Sequence, residues 1–381
     1  MCEKYRPCEQ SWVGRSGRPL TPLLLDCWQR EYDKRPYRMF RFNIVDFEER
    51  MQRKFHAVYD FLIIVSFLKK RPLCTARLTG IHLLPYEHEV IHSFVESLAK
   101  IRRIELRLMH LPTIFFEQLG NKFALMNVKE LILEGTILTS PDIKALHTLI
   151  AESQTLRHLN VANCSVTQYD FPLLADGVHK SSSMRSFVCN RLIGKRLSLD
   201  TTKIAHIVSS LIWQNKLEEL EMQKCELQAQ DMEIISEYLK ATGSKMRKLN
   251  FAYNSIGSDG AEYLFRAIIL SNSLTHINIG GNKLGKHGGR TVAMSLSSCY
   301  FLIYINITWN DICSDVMNLI LTTLKKSVKF HRIEIYGNKF DEKSANILRR
   351  LLDAGVVLQE EIDVTSVYDE IVTDYRVTRY D

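Results

Sequence analysis

Apolar positions along this 381-residue chain recur on a fixed plan. Within residues 246–284, Met246, Leu249, Phe251, Asn254 and Ile256 fit the pattern L-x-x-L-x-L-x-x-N-x-L. Leu274, Ile277, Ile279, Asn282 and Leu284 fit it again 28 residues later. A constant period of this length marks a chain of stacked supersecondary units, each burying its apolar face against the next. The units begin at Leu73, Ile101, Val128, Leu156, Met184, Leu217, Met246, Leu274, Leu302 and Phe330, at intervals of 28, 27, 28, 28, 33, 29, 28, 28 and 28.

Each unit predicts a short strand followed by a helix. The first, fourth and sixth residues of the strand segment point inward (Leu156, Leu159 and Val161 in one copy). The third, fifth and seventh point outward, because side chains alternate across a strand. At the ninth position stand Asn254, Asn282, Asn310 and Asn338, with Cys164 and Cys225 earlier and Ile81, Met109 and Leu192 as departures. An amide there can bond turning backbone that would otherwise be buried unpaired. Asp259-x-x-Glu262 has the form of a capping box opening a helix over 261–270. The fold expected is therefore α/β: a solenoid of about ten 28-residue repeats over 73–340, with a parallel inner sheet and outer helices. Four regions follow: an extended arm over 1–45, a cap helix within 46–72, the repeats, and a cap helix (342–353) with an acidic tail over 341–381.

Charge is distributed unevenly about a net +7. Lys and Arg outnumber Asp and Glu in residues 1–72, and the order reverses in 356–381. The nine cysteines are scattered without a C-x-x-C pair, which argues against a disulfide framework or a zinc ribbon and suits a reducing compartment. The polar, Arg-rich start does not read as a signal peptide, and the apolar run 61–68 is far short of the ~20 residues a membrane span needs. The expectation is a soluble cytoplasmic protein without membrane association.

Two motifs mimic catalytic sites. His88-Glu89-Val90-Ile91-His92 spells H-E-x-x-H, but it falls on an outer repeat helix, where no cleft and no third zinc ligand are expected. Residues 280–287 nearly spell a phosphate-binding loop, with His287 in place of the magnesium-binding hydroxyl, and they coincide with a repeat turn. No catalytic residue, metal or cofactor is assigned. The inner face is the candidate site: Asn160, Asn250, Asn278, Asn306 and Glu334 at the fifth position, Lys248, His276, Tyr304 and Arg332 at the third, Tyr336 at the seventh, and Tyr253 and Trp309 at the rim. Aromatics mixed with amides and charges suit protein binding. The N-terminal half of that face reads Arg103, Glu105 and Arg107, then Glu130 and Glu134, then Glu219 and Glu221. Nothing in it combines stacking aromatics with clustered Lys and Arg as a nucleic-acid groove would, and no nucleic acid is expected. The 33-residue interval inserts a loop around 193–202 whose Lys195 and Arg196 form a second candidate contact. Trp12 and Trp28 in the arm, and Tyr368 and Tyr375 in the tail, are candidate anchors on neighbouring subunits of a larger assembly.

The repeats over 156–340, above all LNFAYNSIGSDGAEYLFRAI and INIGGNKLGKHGG, resemble the ribonuclease-inhibitor class of leucine-rich repeats. That resemblance implies a horseshoe used for protein binding. The segments IYGNKFDEKSANILRRLLDAG and DVTSVYDEIV are similar to the end of the leucine-rich repeat-containing protein 34 family. The similarity implies a scaffold of the ciliary or flagellar axoneme near the radial spokes, with a nucleolar adaptor role as an alternative. A second resemblance, to the leucine-rich repeat subunit of the dynein regulatory complex, also implies axonemal partners without catalysis. The same repeat class includes GTPase-activating proteins of the Ran type, for which Arg191 and Arg196 are the candidate arginines here.

Overall fold

In the computed structural model, residues 21–34, 36, 38–56, 58–123, 126–193, 199–214, 216–240, 244–324, 330–369 and 374–380 are described. They form two compact units, 1–184 and 185–381. The first contains α1 (Thr21–Lys34), β1 (Met39–Asn43), α2 (Ile44–Met51), α3 (Tyr59–Lys70), β2 (Thr75–Thr79), α4 (His88–Ser97), β3 (Arg103–Arg107), α5 (Thr113–Phe123), β4 (Glu130–Ile132), α6 (Ser140–Glu152), β5 (His158–Asn160) and α7 (Phe171–Lys180). Strands β1 to β5 pair in chain order, all parallel.

The second unit contains β6 (Ser186–Val188), α8 (Thr201–Trp213), β7 (Glu219–Glu221), α9 (Ala229–Leu239), β8 (Lys248–Asn250), α10 (Gly257–Leu270), β9 (His276–Asn278), α11 (Gly285–Ser295), β10 (Tyr304–Asn306), α12 (Ser314–Thr323), β11 (Arg332–Glu334) and α13 (Glu342–Asp353). Strands β6 to β11 are again parallel and in chain order. An antiparallel hairpin, β12 (Val364–Asp369) and β13 (Asp374–Arg379), ends the unit.

Each of β2 to β11 opens two residues after the start expected for its repeat. The reason is burial: Met246, Leu249, Phe251 and Ile256, and their counterparts Leu274, Ile277, Ile279 and Leu284, are almost wholly buried, while Lys248 and Asn250 keep access to solvent. Removing such a side chain from water stabilises the stack by roughly 1.5–3 kcal/mol. Among the described residues no helix is long and apolar enough to cross a membrane.

Both ends depart from expectation. Within the supposed arm, residues 21–34 are helical, and 39–43 form an extra strand paired along β2. Trp28 is buried, with ring centroids 5.2 Å from Phe40 and 5.8 Å from Phe67. Enough apolar area is therefore available within the chain itself to order this segment. The expected cap helix over 46–70 is two helices, broken after α2 where Gln52 takes a left-handed backbone (φ 50°). Arg53 holds the start of α3 by a two-pronged ion pair to buried Asp60, at 2.6 and 2.7 Å.

At the other end, α13 spans the residues expected, and Gly355 follows it in the left-handed region (φ 62°). The tail is not a strap that needs another subunit: β12 and β13 pack on α13. Tyr368 and Tyr375 meet at 5.3 Å, and the Arg349 guanidinium sits 4.3 Å from the Tyr375 ring centre. The Asp363 carboxylate accepts from the backbone N–H groups of Ile335 (2.7 Å) and Tyr336 (3.1 Å), taking up donors just past β11. The capping box read at Asp259 and Glu262 does not form. Helix α10 starts earlier, at Gly257, and Glu262 instead pairs with Arg266 one turn on.

Candidate functional site

In the second unit the buried fourth residue of each repeat alternates with outward third and fifth residues. In-register pairing lines up Lys248, His276, Tyr304 and Arg332 in one row, and Asn250, Asn278, Asn306 and Glu334 in the next. These predicted residues are thereby brought onto one open face.

Glu334 is the hub of that face. It accepts from the Tyr304 hydroxyl (3.1 Å), the Asn306 amide and Arg332 Nε (3.2 Å). Arg332 also donates to the Glu360 carbonyl (2.8 Å). Burial, partly offset by Asn306, pushes the Tyr304 phenol up to about 12, and the Glu334 charge adds to the rise. Tyr304 stacks on His276 at 5.6 Å. Burial and then the Lys248 charge hold the His276 imidazole below its ordinary range, which favours a neutral ring at pH 7. Lys248 pairs with Glu219 (2.6 Å), and Asn250 donates to Glu221 (3.4 Å). The face is thus a network of mutually fixed aromatic, amide and charged groups.

Beneath the rim runs an amide ladder. Asn282 Nδ2 donates to the carbonyls of Phe251 and Ile279, both at 2.9 Å, while its Oδ1 accepts from Asn254 N–H (3.2 Å) and Ile256 N–H (3.4 Å). Asn254, Asn310 and Asn338 repeat this arrangement. Where no Asn stands, Thr136 substitutes, donating to the Leu106 carbonyl (2.8 Å) and accepting from Met109 N–H (3.2 Å). Cys164 and Cys225 direct their thiols at backbone carbonyls. Burial raises both, Cys164 to about 12 and Cys225 to about 11, which suits structure rather than nucleophilic chemistry.

The rim itself was only half legible in sequence. The eighth residue of every repeat holds a positive φ, as Gly80, Leu108, Gly135, Asn163, Arg191, Lys224, Tyr253, Gly281, Trp309 and Gly337. Tyr253 and Trp309 each lie over the glycine of the next repeat: a Cβ on Gly281 would fall 2.6 Å from the Tyr253 ring, and one on Gly337 would fall 2.4 Å from the indole. Both rings stay about half exposed, at 51% and 57%. Trp309 meets Tyr336 edge-on at 5.5 Å, and Lys224 sits 5.3 Å from the Tyr253 ring centre. The alternation of aromatic and glycine every second repeat was the signal in the sequence for this contact.

A family model described as Leucine Rich repeat matches residues 244–265 and 270–293, the stretches that supply β8 to α11 of this face. The protein carries leucine-rich repeats. No curated protein matches the chain. Repeats of this kind typically serve as non-enzymatic interaction scaffolds.

The other predicted residues fall elsewhere. Asn160 lies on β5 of the first unit, where its Oδ1 accepts from Ala162 N–H (2.8 Å). Lys195 and Arg196 lie outside the described residues, as does Trp12; of the residues that follow, Leu199 is buried and Asp200 caps α8 through Lys203 N–H. Arg191 is exposed at the rim, its N–H donating to the Gln223 carbonyl (2.8 Å). Trp28, Tyr368 and Tyr375 are held by their own chain, as described above. His88 and His92 are exposed on α4, and His92 pairs with Glu96 (3.2 Å).

Proposed function

We propose that this leucine-rich repeat protein is a non-enzymatic interaction scaffold whose binding surface is the open face and rim of the second unit. The observation that carries this reading is the Glu334-centred network, which holds Tyr304, Asn306 and Arg332 in fixed positions beside two half-exposed aromatics. Rigid aromatic anchors bind at low entropic cost, and fixed polar groups around them set register and exclude wrong partners. In the finer reading the partners are axonemal, at the radial spokes or the dynein regulatory complex, so that the protein is a structural part of a cilium or flagellum. Its support is the resemblance of the C-terminal segment.

Two experiments test these readings. Proximity labelling with full-length protein, run beside Tyr304→Ala and Trp309→Ala, should show neighbours that both variants lose while melting temperature stays near wild type. An identical neighbour set in all three sinks the face. Imaging of tagged protein in ciliated cells should place it along the axoneme; a nucleolar or diffuse signal sinks the axonemal reading and leaves the scaffold intact.

A further inference from the structure

The rim of the second unit carries a spacing that its binding role does not by itself explain. The turns after β8 to β11 stack as regularly as the strands: Tyr253 N–H donates to the Gly280 carbonyl (2.7 Å), Gly281 N–H to Thr308 (2.8 Å), and Trp309 N–H to Tyr336 (3.0 Å). Equivalent residues of neighbouring repeats are therefore about one strand spacing apart, roughly 4.8 Å. Tyr253 and Trp309 are two repeats apart, and each leans the same way, over Gly281 and Gly337 respectively. Two half-exposed aromatic rings thus recur at roughly 9.6 Å along the rim, each resting on a glycine.

A polyproline II helix turns once every three residues with a rise of about 3.1 Å per residue, so its ridges recur at about 9.3 Å. Aromatic-lined grooves are the surfaces on which such helices dock, because proline rings lie flat on aromatic faces and the extended backbone is already ordered. Larger flat anchors, such as another helix, would need a broad apolar groove, whereas single rings stand here, each resting on the glycine of the next repeat. Charge narrows the ligand further. Lys224 stands over Tyr253, Lys283 is exposed beside Gly281, and Arg379 lies 5.7 Å from the Tyr336 ring centre. The neighbouring acidic group Asp311 is already paired with Lys339 (2.7 Å).

From this spacing, together with the proposed role of the face, we infer that the rim formed by Tyr253, Gly281, Trp309 and Gly337 docks an extended, proline-rich segment carrying acidic residues. The segment crosses the repeats along the rim, with prolines three residues apart on the two rings and carboxylates toward Lys224 and Lys283.

The test uses full-length protein and two dye-labelled probes of equal length and charge, (Pro-Pro-Glu)4 and (Gly-Ser-Glu)4, read by fluorescence anisotropy. The proline probe should bind at least tenfold more tightly. Tyr253→Asn and Trp309→Asn should each weaken it at least tenfold; asparagine is chosen because it tolerates the positive φ at both positions. Melting curves of the variants establish that both are folded. Equal binding of the two probes, no binding of either, or unchanged binding by both variants overturns the proposal. Selection of a random displayed-peptide library on the same protein separates this from the broader reading. Enriched peptides without proline that are lost on Tyr304→Ala overturn the proline rim and keep the interaction face; no enriched peptide sensitive to any face variant removes both.

Discussion

The indole of Trp309 and the α-carbon of Gly337 are in such close contact that a Cβ on the glycine would fall 2.4 Å from the ring. Gly337 also holds φ +78°, a region where a side chain costs roughly 1–2 kcal/mol. Gly337→Ala is therefore expected to lose at least that much stability and to displace the indole, so that the urea midpoint falls and the native tryptophan emission shifts. Gly257 is the control, since it has φ +66° but no atom within 4 Å of the position its Cβ would take. Gly257→Ala should lower the midpoint alone. Matching spectra for the two variants would show that the ring does not rest on Gly337.

Asn282 offers a second test, of the ladder rather than the rim. It is fully buried and makes bonds to both the repeat before it and its own turn. Asn282→Ala strands the Asn254 and Ile256 amides in the core, while the Phe251 and Ile279 carbonyls each keep one donor, from Asn254 and Asn310. Each buried group left unpaired costs about 1–3 kcal/mol. A loss of about 3 kcal/mol or more is expected in urea denaturation, against a smaller loss for the less buried Asn338. Equal losses at the two positions would mean that burial does not set the penalty.

The repeats were legible because period and burial point the same way. Leu249, Phe251 and Asn254 can serve only one register, and the strand positions followed from them. The Asn column likewise announced its bonds. What escaped the pattern were contacts made across repeats by unlike residues. Thr136 does the work of an asparagine with a hydroxyl, which no fixed motif encodes. Tyr253 and Trp309 read as binding residues, but their support by Gly281 and Gly337 depends on backbone φ at the eighth position. The ends failed for a related reason. Trp28 and Phe40 find their apolar partners on α3, and Asp363 finds bare N–H groups beyond β11, neither of which belongs to the repeat. On the face, the polar rows were placed correctly by alternation alone, while the focus of the network on Glu334 required the register of β10 against β11.

A buried carboxylate makes the first unit sensitive to acid. Glu105 is fully buried among three arginines: Arg77 Nε at 2.6 Å, Arg103 Nε at 2.8 Å and Arg107 Nε at 3.2 Å, with Arg103 and Arg107 also pairing with Glu130 and Glu134. Burial pushes its carboxyl up, but the bonds from Arg77 and Arg103 outweigh that and hold it at about 2, from an ordinary 4.5. A folded value below the unfolded one means that the contribution is complete above about pH 4.5 and is lost as pH falls toward 2. Wild-type stability should therefore decline across that window more steeply than that of Glu105→Gln, which should itself be about 1–2 kcal/mol less stable at pH 7 because the arginines are partly solvated. Parallel pH profiles for the two proteins would show that Glu105 does not carry the acid sensitivity.

The N-terminal cap yields a prediction at odds with an extended arm that anchors on neighbouring subunits. Trp28 fills a pocket made by Phe40, Phe42 and Phe67, with ring centroids 5.2, 6.3 and 5.8 Å away. Arg71 covers the neighbouring Tyr32 ring at 5.0 Å and pairs with Asp33 (3.0 Å), which ties α1 to the end of α3. Truncating a buried tryptophan typically costs about 3–5 kcal/mol, so Trp28→Ala should bring the first unit close to its unfolding threshold. Deleting 1–45 goes further, because it strips β1 from β2 and leaves a parallel strand edge with exposed Phe67 beside it, an arrangement that invites edge-to-edge association. The truncated protein should melt earlier and aggregate, with Trp28→Ala intermediate between it and wild type. A truncated chain that stays monomeric with an unchanged melt would mean that α1 and β1 are dispensable. The aromatic cluster they complete would then not be the N-terminal cap.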